Sequence, residues 1–135
     1  MNKQQAEKHI TENLEPGDQL IGFFFAIKPA NFWLIFLLGP FFMLTMRQYY
    51  VAVTEQGVSF FKLDILGKFQ LHDFFTYSDI ESVKIGRGML QRPMVFTFKT
   101  NRKLKLKAQL KGVEKVATLK PEVQTYIEQN IPLSL

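Results

Sequence analysis

The chain has 135 residues, no cysteine and a formal net charge of +5 at pH 7. That length suits one domain that buries a core of its own, and the missing cysteines exclude a disulfide framework and a thiol nucleophile. Hydrophobic residues make up 47% and include 14 phenylalanines, so many large rings need a tight core, an oligomer interface or a membrane.

The first residues, MNKQQAEKHITENLEPG, are polar and lack the apolar run behind a basic cap that marks a secretory signal peptide. Ala6, Ile10 and Leu14 recur every four residues, which predicts a short amphipathic helix over residues 1–16, stopped by Pro16-Gly17. Its apolar stripe is narrow, so weak docking is expected.

From Asp18 onward, short apolar-polar alternations are separated by turn residues. They predict strands at Gln19–Ala26, Gln48–Thr54, Val58–Leu63, Lys68–Phe75, Ile80–Gly86, Met94–Thr100 and Leu104–Gln109. The segment Gly112–Asn130 reads as helical along Val113, Val116, Leu119, Val123 and Ile127, with a kink or restart at Pro121. The predicted fold is mainly β (α+β): a seven-stranded bent β-sandwich or partly open barrel over residues 17–131, with a C-terminal helix.

Between the first two strands lies an apolar insert, residues 29–46, of which Phe32–Met46 carries no charge. As one helix those residues would reach about 22 Å, short of the roughly 30 Å hydrocarbon layer, and Gly39-Pro40 breaks them. A membrane span is therefore disfavoured. An interfacial anchor with Trp33 at headgroup depth, flanked by Lys28 and Arg47, is a second reading. The reading placed first is structural: a strand or short helix turns at Gly39-Pro40 and is buried, partly in a homo-oligomer interface. Phe32, Trp33, Phe36, Phe41 and Phe42 are the candidate contacts.

Hairpin registers follow from matching apolar faces. Pairing Val53 with Val58 sets Val51 opposite Phe60 and Tyr50 opposite Phe61, with Gly57 supplying any positive φ the turn needs. In the last hairpin a three-residue loop, Asn101-Arg102-Lys103, would set Phe98 opposite Leu106 and Phe96 opposite Ala108, facing inward. Lys99 would then oppose Lys105, and Thr97 Lys107, facing outward.

Charge is unevenly spread. Residues 1–67 hold five Lys/Arg and six Asp/Glu, a balance of −1, and residues 68–135 hold twelve and six, a balance of +6. From Ser82 to Val113 there are nine basic residues and no acidic one. Like charges side by side on a sheet cost stability unless solvent or an anion screens them. The plain reading is a face kept soluble by lysines; the sharper one is a surface for anionic lipid, nucleic acid or an acidic protein.

The hairpin YYVAVTEQGVSFFKL (49–63), the segment FTYSDIESVKIGRG (75–88) and the closing MVFTFKTNRKLKLKA (94–108) before a helix together resemble the bacterial pleckstrin-homology-like (PH-like) domain proteins. The resemblance covers roughly residues 18–130. It implies a bent β-sandwich capped by the C-terminal helix, and a binding or assembly module without catalysis, some of whose relatives associate into rings. Phosphoinositide-binding relatives carry a Lys-x-Arg cluster in the first strand-to-strand loop, where this chain has only Lys28. That departure argues against inositol-phosphate recognition there.

The site expected is a basic face of Lys84, Lys99, Lys103, Lys105 and Lys107, with Arg87, Arg92 and Arg102 on nearby loops. Its partner would be an anionic membrane surface or an acidic protein, with the chain cytoplasmic and peripheral to the inner leaflet. The alternative is a self-assembling homo-oligomer joined through residues 32–46. Nucleic acid is disfavoured because Phe96 and Phe98 point away from the lysines and offer bases nothing to stack on.

No catalytic pattern emerges. His9 and His72 have no partner at metal-ligand spacing, and His72-Asp73, adjacent in a strand, point to opposite faces. Ile85-Gly86-Arg87-Gly88 lacks the Lys-Ser/Thr ending and following helix of a phosphate-binding loop and reads as a turn. No enzyme activity, cofactor, metal or small-molecule substrate is expected.

Overall fold

A computed structural model describes residues 3–29, 34–39, 47–64, 66–111 and 117–134. Helix α1 (Lys3–Glu12) leads into strand β1 (Leu20–Lys28). A short helix α2 (Leu34–Leu38) precedes β2 (Arg47–Thr54), β3 (Gly57–Leu63) and β4 (Phe69–Thr76). After a 3-10 turn (Tyr77–Asp79) come β5 (Ile80–Ile85), β6 (Gln91–Phe98), β7 (Lys103–Gln109) and helix α3 (Pro121–Asn130). No described helix is long and apolar enough to cross a membrane.

The strands form one antiparallel seven-stranded sheet in the order β4-β3-β2-β1-β7-β6-β5. Its curl can be read from ring contacts. Phe60 on β3 and Phe96 on β6 are four strand steps apart, about 19 Å in a flat sheet, yet their ring centroids lie 5.2 Å apart. Phe75 on β4 stacks on Phe98 of β6 at 4.2 Å, across five steps. The sheet therefore wraps into a half-barrel, and β4 and β5 approach without pairing.

The concave side holds the main core: Phe24, Ala26, Val51, Val53, Phe60, Val83, Met94, Phe96 and Leu106 are all buried, and α3 closes it with Val123 and Ile127. Gly22 makes that closure possible, because a Cβ there would stand 2.5 Å from a Val123 methyl.

The convex side carries a second core. On β1–β3, Tyr50, Ala52, Phe61 and Leu63 point outward, and α1 lies across them with Ala6 and Ile10 wholly buried. The expectation of weak docking is corrected here. The stripe of α1 is narrow, but the sheet supplies the missing area, since Phe69 stacks on His9 with centroids 3.9 Å apart.

The first hairpin has the expected register, with Val53↔Val58, Val51↔Phe60 and Tyr50↔Phe61. Gly57 serves it differently than expected. It does not have positive φ; a Cβ there would fall 2.0 Å from the carbonyl oxygen of Phe75. Thr54 seals the turn, its Oγ1 accepting from the Gly57 N–H and donating to the Gly57 carbonyl, both at 3.1 Å.

Helix α3 begins at Pro121: Ala117–Lys120 is not helical, Lys120 is extended, and residues 112–116 of the expected helix lie outside the described residues. Proline lacks an N–H and disfavours helix in the residue before it, so Pro121 starts α3 at its first position. The piece before Pro121 has its own work. Strand β1 pairs with β7 only at Ala26 and Ile27, and where they diverge Phe25 donates to the Ala117 carbonyl at 2.9 Å and Leu119 to that of Gln109 at 2.7 Å. Beyond α3, Val83 on the edge strand β5 exchanges two backbone bonds of 2.9 Å with Pro132 and Ser134.

A candidate anion-binding face

Strand β7 alternates strictly. Leu104, Leu106 and Ala108 face the core, while Lys103, Lys105 and Lys107 are exposed on the convex side. The pleat turns alternate residues to opposite faces, so one choice of core residues sets the direction of every lysine. Across the sheet, Lys105 lies beside Val95, which in turn lies beside Lys84. Lys103 lies beside Thr97 and Lys107 beside Pro93.

The convex surface is thus divided. Its β1–β4 half is apolar and roofed by α1, and its β7–β6–β5 half is a bare lattice of Lys84, Lys103, Lys105 and Lys107. Successive lysines on β7 are about 7 Å apart, and Lys84 stands about 10 Å from Lys105 across two strand steps.

The hairpin register differs from the expected one, and this relaxes the predicted repulsion. The observed pairs are Phe96↔Leu104 and Met94↔Leu106, so the loop sits two residues earlier, at Lys99-Thr100-Asn101. The Asn101 N–H donates to the Phe98 carbonyl at 2.9 Å, and Asn101 takes φ of 70°. Asparagine tolerates this left-handed conformation far better than lysine would, so Asn101 is the residue that locates the turn. Because the displacement is even, every side chain keeps its face. The lysines lie opposite Thr97, Val95 and Pro93 and not opposite one another.

Two of the expected site residues are elsewhere. Lys99 leaves the strand and meets Glu81, with Nζ 3.5 Å from the carboxylate and both side chains more than half exposed. Its charge is locally balanced. Arg92 belongs to β6 rather than to a loop and has inward parity, opposite Ala108. Its Nη1 donates to Gln124 Oε1 on α3. Arg87 and Arg102 are exposed in the β5–β6 and β6–β7 loops, at opposite ends of the lattice.

The apolar insert leaves and rejoins the sheet through the pair Lys28↔Arg47. Ile27 lies beside Lys107, so β1 runs out of the sheet on the side of Lys105 and Lys103. In α2, Phe36 is 84% and Leu37 80% exposed within the chain. Phe36 and Leu37 are therefore not buried against their own domain. Phe32, Trp33, Phe41 and Phe42 lie outside the described residues.

Both histidines stack on phenylalanines, His9 on Phe69 and His72 on Phe61 at 4.8 Å. Among the described residues no group of His, Asp and Glu is placed to hold a metal. The perturbed groups are tyrosines. Burial pushes the Tyr77 hydroxyl well above its ordinary range, with smaller contributions from Tyr126 and Asp18, and it donates to the Thr54 carbonyl at 2.6 Å. Burial also raises Tyr50, and it raises Tyr49 against the opposing pull of Arg47 and with help from Asp73.

The chain matches no protein-family model and no curated protein. Its structure is similar to that of the hSac2 domain from human phosphoinositide phosphatase Sac2, with a TM-score of 0.57 over 93% of this chain and 76% of that one. Identity is 12%, so the likeness concerns the fold. The curled seven-stranded sheet with a helix at each end is mainly β and of PH-like architecture.

Proposed function

We propose that the protein is a non-catalytic module that docks on an anionic membrane surface through Lys84, Lys103, Lys105 and Lys107. The observation that carries this reading is the division of the convex face: one half is roofed by α1, and the other displays four lysines, while Glu81, the one carboxylate on β5–β7, meets Lys99. Such a plane suits an extended anionic surface better than a single small anion, because the ammonium groups diverge and enclose nothing. Exposed Phe36 and Leu37, in an insert flanked by Lys28 and Arg47, would enter the headgroup region in this reading. The likeness to a domain from a phosphoinositide phosphatase is in keeping with a lipid partner.

Location at the inner face of the cytoplasmic membrane goes with this reading. So does kinship with the bacterial PH-like proteins, for which the motifs in 49–63, 75–88 and 94–108 are the support. Sedimentation with vesicles tests it: binding to phosphatidylserine-containing vesicles that falls with salt is expected, and equal binding to neutral vesicles, or none to either, overturns it.

A second reading rests on the same exposed helix. Phe36 and Leu37 would be covered by another copy in a homo-oligomer. Light scattering without detergent separates the two, since a monodisperse monomer removes the oligomer.

A further inference from the structure

An open cavity of about 540 Å³ lies on the other side of β6 from the lysine lattice, between the β5–β6 loop, the end of β7 and the first turns of α3. Its walls are apolar at Met89, Leu110 and Leu119, and its polar groups include Arg92, Lys111 and Gln124. Volumes of this order are usual for small-molecule sites.

The polar groups are arranged in a definite order. Gln124 Nε2 donates to Glu128 Oε1 at 2.8 Å, so the other end of the amide, Oε1, is turned to accept from Arg92 Nη1. The guanidinium is thereby held in place by a neutral acceptor, and its charge is not cancelled. Its Nε is buried and has no hydrogen-bond partner. Arg92 lines the cavity, and a guanidinium fixed on one side by a neutral acceptor keeps further N–H donors suited to an oxyanion. Exposed Lys111 adds a second cation to the wall, and none of the lining residues is acidic.

We infer that this cavity binds a small amphipathic oxyanion, a carboxylate or phosphate monoester with a short hydrocarbon portion. The charged head would lie between Arg92 and Lys111 and the chain against Met89, Leu110 and Leu119. Arg92 and Lys111 take no part in the lysine lattice, so the inference stands or falls apart from membrane docking.

The test is an NMR titration of the full chain that follows the Arg92 Nε–Hε signal with octanoate, octyl phosphate, inorganic phosphate and, as control, sodium chloride. A saturable shift with octanoate or octyl phosphate is expected, and whichever binds more tightly identifies the head. Inorganic phosphate should bind at least about tenfold more weakly, since it lacks the hydrocarbon. Arg92→Lys and Lys111→Gln should each weaken binding about tenfold or more. Because Lys111 is exposed, its variant remains informative should the Arg92 variant misfold. The inference is overturned by shifts that never saturate, by inorganic phosphate binding as tightly as octyl phosphate, or by a folded Lys111→Gln protein binding as tightly as the parent.

Discussion

Phe60 and Phe61 are neighbours in β3, yet they belong to different cores, and this makes the two-faced reading of the sheet measurable. Phe60 is buried on the concave side against Phe75, Phe96 and Phe98. Phe61 is buried on the convex side in the cluster that holds Ile10 of α1. Ile10 is 0% exposed, so Ile10→Ala should cost about 3 kcal/mol, within the usual range for truncating a fully buried aliphatic residue. Phe60→Leu and Phe61→Leu should each cost about 1–2 kcal/mol, part of the loss seen for truncation to alanine. These sums leave a domain of ordinary stability folded. Combined with Ile10→Ala, Phe61→Leu should show a coupling of about 0.5–1.5 kcal/mol, because the cavity left by one relieves the packing demand of the other. Phe60→Leu should add to Ile10→Ala within about 0.5 kcal/mol. Urea titrations followed by far-UV circular dichroism give all four corners of each cycle. Equal coupling in the two cycles, or a cost for Ile10→Ala under about 0.5 kcal/mol, would show that α1 is not seated on a separate core.

Other consequences concern charge and backbone. Tyr77, Tyr50 and Tyr49 hold their protons more tightly when folded than the unfolded chain does, so their contribution is complete below about pH 10 and is lost as pH rises further. The urea midpoint should fall steeply above about pH 10, and less so in Tyr77→Phe; a slope unchanged by that substitution would count against burial of the hydroxyl as its cause. Gly57→Ala should cost at least about 2 kcal/mol, since its Cβ would strike the Phe75 carbonyl, and a near-neutral thermal melt would refute the close approach. Asn101→Gly should lie within about 0.5 kcal/mol of the parent and Asn101→Val should lose about 1–2 kcal/mol, a difference that equilibrium unfolding resolves. On anionic vesicles, replacing Lys103, Lys105 and Lys107 together by glutamine should weaken binding about 150-fold, at about 1 kcal/mol per lysine, whereas Lys99→Gln should change it little because Glu81 already faces that charge. Equal losses from the triple and the single variant would disprove the lattice.

How much of this could be read from the residues depends on the range over which each feature is decided. Alternation located all seven strands, and the apolar match at Val51, Val53, Val58 and Phe60 set the first register unaided. The last hairpin was displaced because two registers that differ by an even step satisfy the apolar faces equally well, and only the left-handed backbone at Asn101 chooses between them. Pro121 marked the start of α3, but the apolar spacing continued upstream, and the non-helical Ala117–Lys120 became legible only through its bonds to β1 and β7. For Arg92, inward parity relative to Met94 is the available signal, but the expected strand starts only at Met94 and leaves Arg92 on a loop, whereas β6 begins at Gln91.

The sequence alone determined the mainly β class, the outward direction of Lys105 and Lys107, and the division of charge along the chain, because each depends on residues two apart or on a simple sum. Tertiary structure decided which half of the convex face α1 covers, that Lys99 meets Glu81, and that Arg92 turns toward Gln124. The physical reason is the curl of the sheet. It brings together strands that are remote in the chain, and no local pattern of side chains encodes how far a sheet bends or which of its two apolar faces a distant helix will occupy.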